Sequence, residues 1–170
     1  MENLPSEIYF VRHGSVNQLT KELNSEGGLE AIHAGQKLLA MGLGETATVL
    51  ASSTKRTIQT AEAIAQVLGA RLAPPSSWLY EAGNMPQMLI RDVEHFLLAA
   101  NKAENLGLRS ESPLVVVTHA PMIALINGDV GTGAIENGEI YPYKPGSWKN
   151  DEFNKMMADV RLHDHSKYPQ

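Results

Sequence analysis

Short apolar segments typical of buried strands alternate along the chain with longer segments of helical periodicity. The strand candidates are EIYFVR (7–12), ATVLAS (47–52) and PLVVVTH (113–119), and a helical pattern follows each of them. A chain that alternates strand and helix forms a mostly parallel sheet with helices on both faces. We therefore predict an α/β fold: a three-layer α/β/α sandwich with a mainly parallel central sheet.

The helices are predicted from the 3.6-residue spacing of apolar side chains and from glycines at their ends. Their segments are LEAIHAGQKLLAMG (29–42), TKRTIQTAEAIAQVLG (54–69), NMPQMLIRDVEHFLLAANKAENLG (84–107) and APMIALING (120–128). A glycine-rich region, 131–148, contains the strand-like run AIENGEIY. The last residues, roughly 160–170, are expected to form a flexible tail.

Composition limits the possible partners and the redox chemistry. The 170 residues favour one domain, 1–170, and 43% hydrophobic with 19% charged residues is an ordinary globular composition. A net charge of -5 without a block of like charge argues against nucleic acid or a membrane surface as the partner. The absence of cysteine excludes disulfides, thiolate metal sites and a cysteine nucleophile. The N-terminus has neither the basic nor the apolar region of a signal peptide, so we expect a cytoplasmic protein.

Unusual polar residues follow all three predicted strands. The first strand ends in Arg12-His13-Gly14, the second leads into Ser52, Ser53 and Arg56, and the third ends in Thr118-His119. Ligands of open α/β sheets bind beyond the carboxyl ends of the strands, so these side chains are expected to share one pocket. Arginine forks and helix N-termini are the groups that bind phosphate. The sequence therefore predicts a phosphate site with two histidines in it.

The three blocks, VRHG (11–14), SSTKRTIQTAEAI (52–64) and VVVTHAPMI (115–123), occur in this order in a known family. Together they resemble the histidine phosphatase superfamily, which includes the cofactor-dependent phosphoglycerate mutases. This resemblance implies a phosphoglycerate mutase-like fold. Within it, the compact chain and the GTGAI run (131–135) are similar to the small phosphohistidine phosphatases (SixA type). Mutases and sugar bisphosphatases carry a long insertion before the second histidine, which this chain lacks, so an open site is expected.

The resemblance implies a catalytic role for several residues. His13 would be the nucleophile, forming a phosphohistidine intermediate through one neutral ring nitrogen. Its other ring nitrogen needs a hydrogen-bond acceptor, which we expect to be a backbone carbonyl. Arg12, Arg56 and His119 would bind the transferring phosphoryl group, and neither a metal nor a cofactor is required. Glu81 occupies the place of the family's proton donor, but a solvated loop glutamate explains it equally well.

Two further residues follow the nucleophile. Ser15 and Asn17 are candidate phosphate contacts, although the run RHGSVNQ departs from the family's usual spacing there. The histidines of the tail, His163 and His165, are more easily explained as adventitious metal binders than as a site.

The resemblance favours a metal-independent phosphatase that removes phosphate from phosphohistidine on a protein. A small-molecule phosphomonoesterase or a phosphoglycerate mutase-like enzyme remains an alternative. A silent phosphate-binding interaction module is the non-enzyme alternative, disfavoured because all four central residues are present. Neither the physiological substrate nor the oligomeric state follows from the sequence.

Overall fold

The computed structural model describes residues 4–5, 7–79, 93–127 and 135–143. Its elements, in chain order, are β1 (Ile8–Arg12), α1 (Ser25–Ala40), β2 (Thr48–Ala51), α2 (Lys55–Leu68), β3 (Arg71–Leu72), a 3₁₀ turn (Ser77–Leu79), α3 (Val93–Glu104), β4 (Leu114–Thr118), α4 (Ala120–Asn127) and β5 (Ile140–Tyr143). None of the described helices is long and apolar enough to cross a membrane.

The strands form one sheet in the order β3-β2-β4-β1-β5. The first four strands of the chain, β1 to β4, run parallel to one another. The edge strand β5 is antiparallel to β1. This confirms the predicted α/β fold with a mainly parallel sheet. The strand-like run near residue 140 forms the antiparallel edge strand β5.

Alternate residues of the strands pack into two separate apolar clusters, one on each face of the sheet. In β4, Leu114 and Val116 belong to the cluster that contains residues of α3 and α4, whereas Val115 and Val117 belong to the cluster with α1 and α2. All four are fully buried, because a strand in the middle of a covered sheet has no solvent-facing side. Helices therefore cover both faces, as predicted.

Helix α1 is built differently from the prediction. It begins at Ser25, four residues before the predicted start, because Asn24 caps it by accepting a hydrogen bond from the Gly27 amide at 2.8 Å. Its buried face is made of small residues and Leu38, while the larger Leu29 is 65% exposed. Gly35 explains the small side chains: a Cβ there would lie 2.9 Å from the Cβ of Val67 on α2.

The other predicted helices agree with the structure where it describes them. Helix α2 ends at Gly69, which adopts the left-handed conformation (φ 65°) expected of a glycine that terminates a helix. α3 ends at Glu104, and its predicted first part, 84–92, lies outside the described residues, as does the predicted tail.

Candidate active site

Parallel pairing brings the three predicted strand ends to the same edge of the sheet. Arg12 at the end of β1 is paired with Thr118 at the end of β4, and Ala51 at the end of β2 is paired with Val117. His13, Ser52 and His119 are the next residues in each case. Level strand ends therefore place these three side chains at one edge of the sheet.

A cavity of about 220 Å³ lies at this edge. Its lining contains all four central residues of the sequence prediction, Arg12, His13, Arg56 and His119. The remaining lining residues are Ser15, Val16, Gln18, Lys21, Ala120 and Asn137. The structure thus brings two imidazoles and two guanidinium groups together around one cavity.

His13 is buried, and the hydrogen bond of its ring defines its tautomer. Nδ1 lies 2.8 Å from the carbonyl oxygen of Gly14, which can only accept, so Nδ1 carries the proton. The backbone-carbonyl partner expected from the sequence is thereby confirmed. In the neutral ring, Nε2 then holds the free lone pair, and this is the nitrogen available for attack on an electrophile.

The surroundings keep His13 neutral. Its pKa is lowered from 6.5 to about 4, mainly by burial, against the hydrogen bond to Gly14, which raises it. The Arg56 and Arg12 cations lower it further. The neutral ring is the form in which a histidine can act as a nucleophile, and His13 has this form near neutral pH without a neighbouring base.

His119 is almost completely buried beside His13, with the ring centroids 5.3 Å apart. Its Nε2 lies 3.1 Å from the hydroxyl oxygen of the buried Ser52, which in turn donates to the hydroxyl of Thr57 at 2.8 Å. Burial lowers the pKa of His119 to about 2, with smaller contributions from His13 and the two arginines. Both histidines are therefore neutral, and the arginines supply the positive charge of the site.

Arg12 is held by a segment that is distant in the sequence. Its Nη1 donates to the carbonyl oxygen of Ile135 at 2.6 Å, which fixes the guanidinium at the end of β1. Its Nε is buried and has no acceptor within the described residues. Burial lowers the pKa of Arg12, but the group stays charged, because arginine does not deprotonate in proteins. A buried cationic donor of this kind at a cavity wall is suited to an anionic oxygen.

The residues that follow Arg56 hold the backbone around His13. The Thr60 hydroxyl accepts from the Gly14 amide at 3.1 Å, and the Gln59 side chain accepts from the Leu23 amide at 2.8 Å. Arg56 lies one turn earlier on the same helix, and Thr60 donates to its carbonyl. Helix α2 thus provides the second arginine and also positions the backbone beside His13.

Ser15 and Asn17, the two candidate phosphate contacts after His13, have different positions. Ser15 lines the cavity, and its amide donates to the Glu30 carboxylate at 2.8 Å. Asn17 is exposed, is not among the cavity-lining residues, and its side-chain oxygen accepts from the amides of Leu19 and Thr20. The structure therefore places Asn17 in a turn rather than at the pocket wall. Glu81, His163 and His165 lie outside the described residues.

Sequence reasoning did not identify three polar residues of the cavity wall, Asn137, Lys21 and Gln18. Asn137 donates through Nδ2 to the carbonyl oxygen of His13 at 2.9 Å, across a separation of 124 residues. Lys21 and Gln18 come from the loop after β1. The left-handed backbone of Lys21 has no signature in the sequence. For Asn137, the polar, glycine-containing run ENG is a turn signal that could have drawn attention to this residue.

Comparison with known sequences identifies a family that matches part of the chain. The sequence profile of the histidine phosphatase superfamily (branch 1) matches residues 8–79, which include β1, α2 and the first two of the three motif blocks. No curated protein sequence matches the chain.

Several solved structures share the fold. The candidate phosphohistidine phosphatase SixA of Agrobacterium tumefaciens is 18% identical with a TM-score of 0.57, over 84% of this chain and 92% of that one. Mycobacterial hydrolase 1 is 17% identical with a TM-score of 0.52, over 81% of this chain and 90% of that one. A mycobacterial glucosyl-3-phosphoglycerate phosphatase, in complex with VO₃, is 17% identical with a TM-score of 0.51, over 81% and 90%.

The resemblance drawn from the sequence is thus confirmed. Over residues 8–79 the chain matches the histidine phosphatase superfamily, branch 1, and its described part has the fold of these solved proteins.

Proposed function

We propose that the protein is a metal-independent phosphatase that works through a phosphohistidine on His13. The observation that carries the proposal is the neutral, buried His13 ring, with Nδ1 committed to the Gly14 carbonyl, in a cavity that also contains Arg12, Arg56 and His119. The fold is shared with a glucosyl-3-phosphoglycerate phosphatase that was solved with VO₃ and with inorganic phosphate.

In the proposed first step, the Nε2 lone pair of His13 attacks phosphorus and the bond from phosphorus to the leaving group breaks. The leaving group departs with the bonding electrons and takes up a proton. Arg12, Arg56 and His119 bind the phosphoryl oxygens and stabilise the charge that develops on them. In the second step, water attacks phosphorus, the P–N bond breaks, and inorganic phosphate and neutral His13 are released.

We propose phosphohistidine on a protein as the substrate class, with a small phosphoester as the second candidate. The alignment with the SixA structure covers 84% of this chain and 92% of that one, which leaves little room for inserted chain in either protein. A pocket without such an insertion is accessible to a phosphorylated side chain. The fold shared with a glucosyl-3-phosphoglycerate phosphatase is the observation that keeps the small phosphoester in consideration. Glu81 is proposed as the proton donor that such an ester would require.

The decisive experiment is His13→Ala together with direct detection of the intermediate. Wild-type protein that is quenched in acid-free denaturant after brief mixing with labelled phosphohistidine protein or aryl phosphate should carry an acid-labile phosphate on His13. His13→Ala should lose turnover by at least about a thousandfold, since no other group takes over the attack. Chelators should leave the wild-type rate unchanged.

His33→Ala is the matched control, because His33 is an exposed histidine on α1 outside the cavity lining. It should keep the wild-type rate. Turnover by His13→Ala at the wild-type rate would refute the mechanism. Phosphate binding by the wild type without turnover on any phosphohistidine or phosphoester substrate would favour the silent binding module.

A further inference from the structure

The loop from Val16 to Leu23, here termed the rim loop, contributes an additional cation to the cavity. Val16 and Leu23 close the loop by an antiparallel bridge, and Gln18 and Lys21 between them line the cavity. Both side chains are exposed at its edge, unlike the buried His13 and His119. They therefore lie where the part of a substrate beyond its phosphoryl group would emerge.

Hydrogen bonds hold the rim loop in a defined shape. The Asn17 side chain accepts from the amides of Leu19 and Thr20, and the Asn17 carbonyl accepts from the Lys21 amide at 2.8 Å. The Asn17 amide donates to the Glu22 carbonyl at 2.8 Å. The Leu23 amide donates to Gln59, which attaches the loop to α2. The loop is thus tied to the same helix that carries Arg56.

The backbone conformation of Lys21 is unfavourable for a lysine. Its φ of 61° lies in the left-handed region, which lysine rarely adopts and which glycine or asparagine occupies more easily. Residues held in this region are concentrated at functional sites, so an observed case is a reason to look for a role of the side chain. A lysine that persists here places a positive charge where a glycine would suit the backbone better.

The ammonium group of Lys21 is partnered by a neutral acceptor. Its Nζ lies 3.2 Å from the Oε1 of Gln18, and within the described residues no carboxylate neutralises it. Arg12 and Arg56, which also line the cavity, already provide two positive charges for a dianionic phosphoryl group. The charge of Lys21 is therefore left for a second anionic group.

We propose that Lys21, with Gln18, forms a subsite for an acidic group on the substrate, a carboxylate next to the phosphoryl group. This inference rests on the proposed function and deepens it. The carboxylate has two possible sources: an acidic residue that flanks a phosphorylated side chain on a protein, or the acid group of a small phosphoester. A lysine ammonium binds either one as a point charge, with an effect that weakens as salt is added.

Binding of non-hydrolysable ligands tests the subsite apart from catalysis. The ligands are 4-methylphenylphosphonate and 4-(carboxymethyl)phenylphosphonate, and their Kd values are measured by calorimetry. In the wild type the carboxymethyl ligand should bind roughly fivefold more tightly than the methyl ligand, the size expected for an exposed ion pair. Lys21→Gly should abolish that preference while suiting the turn's backbone, Lys21→Arg should retain it, and high salt should reduce it.

Lys37→Ala is the matched control. It removes the same charge, and Lys37 lies in the last turn of α1 and is not among the residues that line the cavity. It should keep the wild-type preference. Equal Kd values for the two phosphonates in the wild type, or the same response to Lys21→Gly and Lys37→Ala, would overturn the subsite.

Hydrolysis assays distinguish the two sources and separate this inference from the proposed function. Phosphohistidine peptides with a flanking Asp or Asn are compared with small phosphoesters with or without a carboxylate, and Lys21→Gly should raise KM selectively for the acidic member of the pair that the enzyme uses. A retained Kd preference without any turnover would leave the subsite standing and refute the phosphatase. Turnover without any acid preference would do the reverse.

Discussion

His13 and His119 are the same residue type in one cavity, yet their contacts give them different properties. His13 is fixed by a carbonyl that only accepts, so its tautomer is defined and its Nε2 is available. His119 is instead bonded to a serine hydroxyl that belongs to a chain of hydroxyl groups, Ser52 to Thr57. The roles of nucleophile and phosphoryl-binding partner proposed above follow this difference.

Glu81→Gln tests whether the leaving group needs a proton donor. If Glu81 has this role, the variant should lose about 10²–10⁴-fold in kcat/KM on alkyl phosphates, because an alkoxide leaves poorly without a proton. The loss should be small on phosphohistidine and on aryl phosphates with acidic phenols, whose leaving groups need little help. Steady-state rates on this series provide the measurement. An equal loss on every substrate would instead assign Glu81 to positioning or folding.

The loop that follows β1 contacts the start of α1, and this contact depends on two glycines, Gly14 and Gly27. A Cβ on Gly14 would lie 2.5 Å from the Gly27 carbonyl oxygen, and a Cβ on Gly27 would lie 2.0 Å from the Ser15 carbonyl oxygen. These neighbours are backbone atoms and have no rotamer by which to move away. Helix α1 therefore begins directly against the residues that follow His13.

Gly27→Ala should both destabilise the protein and impair the site. The new methyl group has to push the Ser15 backbone away, so we expect a loss of about 1–3 kcal/mol in the free energy of unfolding together with a lower kcat. Gly28→Ala is the matched control one residue later on the same helix, where a Cβ meets nothing within 4 Å. It should leave activity unchanged and gain up to about 1 kcal/mol from helix propensity.

Urea denaturation and steady-state kinetics of the two variants provide the comparison. A Gly27→Ala protein that matched Gly28→Ala in both respects would show that the loop and the helix do not need this close approach.

The complete fold brings together residues that are far apart in the chain. Residues 135–139, before the edge strand β5, form four hydrogen bonds with Arg12 and His13: Arg12 Nη1 to Ile135, Asn137 to the His13 carbonyl, the Gly138 amide to the Arg12 carbonyl, and the Arg12 amide to Glu139. The backbone around His13 is thus held by α2 on one side and by this segment on the other.

Burial of two neutral histidines makes the stability of the fold sensitive to acid. The folded-state pKa values of about 4 for His13 and about 2 for His119 lie below the unfolded value of 6.5. Between these values the unfolded chain binds more protons than the folded protein, so the free energy of unfolding should fall as the pH drops below about 6.5. The loss should continue to about pH 4 for His13 and further for His119.

The contribution is isolated by comparing the wild type with His119→Asn in urea denaturation between pH 7 and pH 4. Carboxylates titrate in both proteins, whereas His119 titrates only in the wild type. The wild type should therefore lose more stability over this range, by an amount on the order of 1–3 kcal/mol. Parallel pH profiles for the two proteins would mean that His119 is protonated as readily in the folded state as in the unfolded one.

The sequence by itself determined the fold class and the four central residues of the site. Strand and helix periodicity is local, and the carboxyl ends of parallel strands meet at one edge whatever the loops do, so Arg12, His13, Arg56 and His119 could be placed together without coordinates. The backbone-carbonyl partner of His13 was expected for a different reason: the role that the resemblance implies for His13 requires a fixed tautomer.

Only the tertiary structure decided which side of α1 is buried and what completes the cavity wall. Apolar spacing favoured Leu29 as a packing residue, but the close approach of α1 to α2 at Gly35 selects small side chains instead and leaves Leu29 in solvent. Asn137 and Lys21 enter the site through a contact across 124 residues and through a left-handed backbone, respectively. Neither has a periodic or spaced signature in the sequence, because both depend on how distant segments and turns are fixed in the folded chain.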